Sequence, residues 1–430
     1  MTGVFTNHTF ERRATALRMN WTGACLLLVA MLFARATEAT TYYVSRSGSD
    51  ANSCGSAQST TQTSQKATIA AGVACLVAGD TLFIHGGTYT GSTNVIDSQT
   101  RTVNSGTSFA NAVTIAGYPG EMVILQPPDN VSGIRLTTGS PHFLIFKDFT
   151  IDMINSTPTA DADGIYLSTA HHNRMQRLEV KNSYNNGVHF GFYTSFNEVL
   201  DCRIHNNRVP NIGPAPHGLY ITASDNLFEG NEVYSNQGYG FHIYNNHGSH
   251  DDPSRNIIRN NRVYGNGVYG TQAYGVVVAW GSDNVVYNNI IYRNRGGIQV
   301  YTDSVNTRVY NNTIYGNATE GIALQYHSTG QTIRNNIVYG NGAGIVDYGG
   351  AAPAAVDHNL LTDPSFVNAN ADDYSLQPWS AARDAGVTIA GVTYDFVYKA
   401  RPQDGEYDIG AFEGGAFTLP TAPSNVRWVH

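Results

Sequence analysis

From Val113 to Asp347, apolar and polar residues alternate with a period of two in short runs, each built around a glycine and bounded by asparagines. Setting the clearest turns in register aligns Asn197, Asn226, Asn256, Asn284, Asn306 and Gln331, at spacings of 29, 30, 28, 22 and 25 residues. Each unit reads Asn-x-x-x-x-Asn-x-Val/Ile-Tyr-x-Asn, then a variable loop, then x-Gly-Ile/Val-x-Val/Leu. Alternation of this kind marks a strand with one buried face. Repeats of this length with short strands and polar turns predict a parallel β-helix of roughly ten coils.

The asparagines fit that reading. Asn207, Asn236, Asn266, Asn294, Asn317 and Asn341 fall at one turn of successive units. Their amides can hydrogen-bond from coil to coil, so their role is structural. A second column, Tyr234, Tyr264, Tyr292, Tyr315 and Tyr339, is expected only to stack.

The strand after the variable loop is the informative one. The first and third residues after its glycine are apolar and point inward: Leu219 and Ile221, Phe241 and Ile243, Val276 and Val278, Ile298 and Val300. The residue before the glycine, and the second and fourth after it, point outward. Those columns contain Asp163 and Tyr166, then Asn186 and His189, then His217, Tyr220 and Thr222, then Tyr239, His242 and Tyr244, and further on Tyr274, Gln299 and Tyr301. Coils stack about 4.8 Å apart, so His189, Tyr220 and His242 are expected side by side on one outer wall. The segments Arg208–Pro216, Asn245–Arg255 and Gly267–Tyr274 are lengthened next to that same strand, as they would be around a binding groove.

An outward ladder of His and Tyr suits a saccharide, because aromatic faces cover sugar rings and both side chains can exchange protons. Cleavage of a polyuronide by β-elimination needs a base, a partner for the carboxylate and an acid for the leaving oxygen. Tyr220 or His242 is the candidate base, His217 or His189 the carboxylate partner and Tyr244 the acid. Asp163, Tyr166, Tyr239 and Tyr301 are candidate substrate contacts, with Lys181 and Arg203 on a neighbouring face as further candidates for charge neutralisation. A glycosidase would need two facing carboxylates. Asp161 and Asp163 lie in one unit and have no acidic counterpart in the adjacent ones, so hydrolysis ranks below elimination. A non-catalytic polysaccharide- or surface-binding solenoid is the competing class. His247, His250, Asp251 and Asp252 read as a solvated loop rather than a metal site.

Charge narrows the partners. The chain carries a formal −8, and loss of residues 1–39, with four Arg and two Glu, would leave −10. With no basic run, nucleic acid is a poor partner. Arg12, Arg13 and Arg18 precede a short apolar run, Ala24–Phe33, and small residues follow it. This is the pattern of a secretory signal, too short to span a bilayer, with cleavage expected after Ala39 or Ala36 and Met19 as an alternative start. Export to the periplasm or the medium permits a disulfide. Cys25 would leave with the signal and Cys202 sits in a strand as a small apolar residue, so Cys54 and Cys75 are the expected pair. Ile69, Ala70, Val73, Ala74 and Val77 recur at helical spacing, which predicts a short amphipathic helix capping the first coil.

The chain also resembles known proteins. Tyr43-Val44-Ser45-Arg46-Ser47-Gly48-Ser49-Asp50, Gly79-Asp80-Thr81 and Gly87-Thr88-Tyr89 are similar to the N-terminal signature of secreted right-handed parallel β-helix proteins, including the family 9 pectate lyases. Asp363-Pro364-Ser365-Phe366, Asp384-Ala385-Gly386, Arg401-Pro402 and Asp408-Ile409-Gly410-Ala411-Phe412-Glu413 are similar to the closing region of that group. The resemblance implies an all-β right-handed β-helix and uronide elimination. Those lyases place an Asp before the glycine of one coil and a Lys base after it, where this chain has His217 and Thr222. Their calcium-binding Asp positions correspond here to Gly238, Tyr239 and His242. What remains is a metal-independent His/Tyr site, a substrate-binding surface that no longer cleaves or an uncharacterised activity; no cofactor is expected, with calcium as the alternative although its usual Asp ligands are not found.

The predicted organisation is a signal at 1–39, an N-terminal cap and first coils at 40–112, repeats at 113–356, a closing region at 357–416 and a Pro-rich tail at 417–430. The expected protein is a monomer without a membrane span, directed at a polysaccharide of acidic character.

Overall fold

The computed structural model describes residues 38–157, 161–208, 216–245, 252–267, 273–403 and 405–414. Residues 1–37 of the expected signal, His247, His250, Asp251 and the tail at 417–430 lie outside the described residues. Among the described residues, no helix is long and apolar enough to cross a membrane.

Three-residue strands dominate. A typical coil consists of Leu227–Glu229, Glu232–Tyr234 and Phe241–Ile243, one strand for each of three parallel sheets with 12, 10 and 10 strands. Each strand pairs with the equivalent strands of the coils before and after it. The result is a parallel β-helix, as the repeat predicts. Alternation places one file of apolar residues inside each wall. Phe190, Ile221, Ile243, Val278 and Val300 form one, Val199, Phe228, Ile258 and Val286 another, and Ile204, Val233, Val263 and Ile291 the third, all fully buried. Each such side chain contributes roughly 1.5–3 kcal/mol of burial.

The corners are held by asparagine. Asn231, Asn261, Asn289, Asn312, Asn336 and Asn359 form a continuous amide ladder with Nδ2–Oδ1 distances of 2.9–3.0 Å. Each internal amide is fully used. The Asn261 Oδ1 also accepts from the Asn231 backbone N–H at 2.9 Å, and its Nδ2 donates to the Phe228 carbonyl at 3.0 Å. That satisfies the backbone at the bends, where sheet hydrogen bonding stops. The expected ladder through Asn207, Asn236, Asn266, Asn294, Asn317 and Asn341 is present as well. In the third corner the alignment needs one correction. Val285 pairs with Arg308, so Thr307 rather than Asn306 stands opposite Asn284. Thr307 is buried and hydrogen-bonds Ser304, whereas Asn306 is exposed and takes a left-handed conformation at the turn, φ 53°.

At the N-terminus, Cys54 and Cys75 form the expected disulfide. The capping helix is only Ile69–Val73, with Thr68 accepting from the Ala71 N–H at its start. It stops short of Val77 because Asp80 draws the Val77 N–H into a turn leading to the strand Thr81–Ile84. Gly72 lets the helix sit directly on the first coils, since a Cβ there would strike Val44 and Leu82.

The region after residue 357 runs back along the flank of the coils. The side chains of Asn335, Asn311, Asn288 and Asn260, one per coil, donate to its carbonyls at Val387, Asp408, Tyr394 and Asp395. Its Tyr374 and Phe366 cover the stacked tyrosine column at Tyr315. At its centre, Arg401 and Glu413 form an enclosed ion pair at 2.6 Å.

Candidate functional site

Four neighbouring strands, Ile165–Leu167, Val188–Phe190, Leu219–Ile221 and Phe241–Ile243, pair in register so that Tyr166, His189, Tyr220 and His242 lie abreast. Their ring centroids are 4.9, 4.9 and 5.1 Å apart. All four point away from the core. His217 and Tyr239, which precede the glycines, and Tyr244, the fourth residue after Gly240, close around His242 at 4.5, 4.5 and 4.9 Å. The wall predicted from alternation is therefore a single cluster of rings.

Above it lies a cleft of about 580 Å³. His217, Tyr220, Tyr239, His242, Tyr244 and Tyr301 line it from the expected set. Tyr274, Gln299, Gln325 and Tyr326 extend it beyond that set. Tyr274 and Gln299 stand in the same outward columns, so the repeat pattern held the signal for them. Tyr326 lies in a turn after its strand, with φ 42°, where alternation carries no information.

Three candidates take other roles. Asp163 is enclosed and accepts from the Asn186 backbone and side chain at 3.0 and 2.9 Å and from His189 Nδ1 at 3.0 Å. Both of its oxygens are thus engaged within the wall, one of them fixing the His189 ring. Lys181 and Arg203 lie on a different sheet, where both pair with Glu179, at 3.1 and 2.9 Å. With His205 donating to it as well, Glu179 is held at about 2, mainly through that His205 hydrogen bond. Those two cations are satisfied locally and away from the cleft. Cys202 is buried and unpaired, and burial pushes its thiol up to about 12, so it is no nucleophile.

The electrostatics of the cluster are set by burial. His217 Nδ1 accepts the Tyr239 backbone N–H at 3.1 Å, which leaves its ring proton on Nε2. Burial lowers its pKa to about 3, and it lowers that of His242 well below the usual histidine range. Both rings are neutral at physiological pH, so His217 can serve a carboxylate only as a hydrogen-bond donor. Burial raises the Tyr220 hydroxyl to about 12, which keeps it protonated and argues against Tyr220 as the base. His242 Nδ1 is buried with no protein partner.

One consequence is acid sensitivity. Between about pH 6.5 and 3 the unfolded chain protonates His217 while the folded chain does not, so stability falls as pH falls through that window. His217→Phe should flatten the decline, read as thermal midpoint against pH.

Two family models match the chain. One, described as a right handed beta helix region, covers residues 211–361, and the other, described as periplasmic copper-binding protein (NosD), covers residues 92–273. Among solved structures the chain is similar to pectate lyase Pel9A, with a TM-score of 0.62 and 16% identity over 88% of this chain and 97% of that one. The chain is a right-handed parallel β-helix. Weaker likenesses include a rhamnogalacturonan lyase (TM-score 0.49, 16% identity, 76% and 91% covered) and an alginate lyase from Paenibacillus sp. (TM-score 0.47, 20% identity, 68% and 97% covered). At these identities the likenesses show the fold alone. No curated protein matches the chain. For copper or calcium, no group of three or more His, Cys, Asp or Glu among the described residues is arranged to hold an ion. Gly238, Tyr239 and His242 stand where the resemblance would place calcium-binding Asp residues, and none of the three supplies a carboxylate.

Proposed function

We propose that this β-helix is a secreted or periplasmic polysaccharide lyase acting on an acidic polysaccharide by β-elimination. The observation that carries it is the neutral His/Tyr cluster opening into a cleft of about 580 Å³ lined by aromatic rings and amides. In the proposed reaction, His217 Nε2–H and the Tyr239 hydroxyl hold the uronate carboxylate through hydrogen bonds, which favour the charge that builds up on it. His242 takes the proton from the carbon that bears the carboxylate. The electron pair left behind forms the new double bond to the neighbouring ring carbon, whose bond to the glycosidic oxygen breaks. Tyr220, still protonated, gives its proton to that oxygen. The proton on His242 then returns to the solvent and Tyr220 is reprotonated.

A binding-only surface is the second reading. It draws on His242 Nδ1, which has no acceptor to stabilise a positively charged ring. Hydrolysis is less favoured, because among the described residues the cleft lining contains no carboxylate.

A panel of acidic polysaccharides followed by ultraviolet absorbance separates these readings. A rising signal from the conjugated alkene supports elimination. Retained binding with no signal favours the binding-only surface, and new reducing ends with no signal favour hydrolysis.

A further inference from the structure

The cleft carries no formal charge. Among its described lining residues there is no Lys, Arg, Asp or Glu, and both histidines are neutral. The lengthened segments beside these strands carry Arg only at their outer ends, Arg208 and the Asp225-paired Arg255, and no Lys. Carboxylates stand at both ends of the wall instead. Asp163 is paired to His189 beyond one side of the cluster. Glu320 accepts from the Tyr274 hydroxyl at 2.8 Å, and from Tyr348, beyond the other. Between the catalytic cluster and Glu320, the surface consists of Val277, the Gln299–Gln325 amide pair at 3.1 Å and the Tyr301–Tyr326 edge-to-face pair at 5.3 Å.

A homopolyuronide places a carboxylate on every ring. One of them could use the neutral donors around His242. Its neighbours would meet amides, aromatic faces and then like charge, with no cation among the described lining residues to offset their desolvation. We infer that the cleft takes a chain in which a single uronate is flanked by neutral sugars, with the neutral rings seated on Tyr301, Tyr326 and the Gln299–Gln325 pair. This inference rests on the elimination reading and narrows its substrate.

The test compares fully de-esterified polygalacturonate with a polymer that alternates uronate and neutral sugar. Cleavage is followed with the wild-type chain, and binding with His242→Ala by calorimetry. The expected result is a preference of roughly tenfold or more for the alternating polymer in both readouts. Binding of that polymer should also change little with salt, since no cation is used. Gln325→Lys should narrow the preference by adding one cation to the neutral surface. Equal or faster cleavage of polygalacturonate would overturn this inference while leaving elimination intact. Binding preference without cleavage would support the substrate assignment and overturn the lyase reading. Failure to bind either polymer would overturn both.

Discussion

His242→Ala is expected to lower kcat/KM on a cleaved polysaccharide by roughly 10²- to 10⁴-fold, the range for removing a positioned proton-transfer group. Tyr220→Phe should cost a similar factor through loss of the leaving-group proton. The double variant should fall little below the worse single one, because residues that act in one step do not contribute additively. The pH profile carries an independent signature. His242 must be neutral, and its pKa lies well below the usual range because of burial, so the acidic limb of kcat/KM should sit below about pH 6.5. Tyr220 must keep its proton, and with its pKa at about 12 the rate should hold into strongly alkaline solution. Tyr220→Phe should leave the acidic limb where it is. If His242→Ala retains near-normal kcat/KM, the ring cluster is scaffold.

The largest stability effect is expected far from the cleft. Arg401 Nη1 donates to Glu413 and to the Asp408 carbonyl, and Nη2 donates to the Gly410 carbonyl and Asn288 Oδ1. Both charged side chains are essentially inaccessible to water, at 0% and 1% exposure. Arg401→Met would leave the Glu413 carboxylate buried without its partner, so about 3–5 kcal/mol of stability should be lost, read from chemical unfolding. Arg401→Met combined with Glu413→Leu should be less destabilising than Arg401→Met alone, because the stranded charge is gone. A neutral outcome for Arg401→Met would mean that the flank segment is not part of the cooperative fold.

Much of this was legible before the structure because a solenoid writes its geometry into sequence periodicity. A glycine followed by inward residues at the first and third positions fixes which side chains face out, and register in a parallel stack then sets His189 beside Tyr220 and Tyr220 beside His242. The same logic could not see charge satisfaction. Lys181 and Arg203 alternate outward as expected, but the sheet they occupy and their shared partner Glu179 are matters of three-dimensional placement. Asp163 faces the right way, yet Asn186 and His189 consume its oxygens. The protonation of His217 was likewise hidden, since it follows from enclosure and from one backbone amide of Tyr239. The slip at Asn306 arose because the residue before each of these corners takes a left-handed bend, as at Asp225, Arg255 and Asp283, and here that residue is itself an asparagine while the corner falls to Thr307.

The most direct measurement is proton NMR of the products formed from an acidic polysaccharide that the protein cleaves. A vinylic resonance from an unsaturated uronate at each new non-reducing end, absent with His242→Ala, is the predicted result. New chain ends that lack the vinylic proton, or an unchanged vinylic yield with His242→Ala, would contradict elimination at this wall.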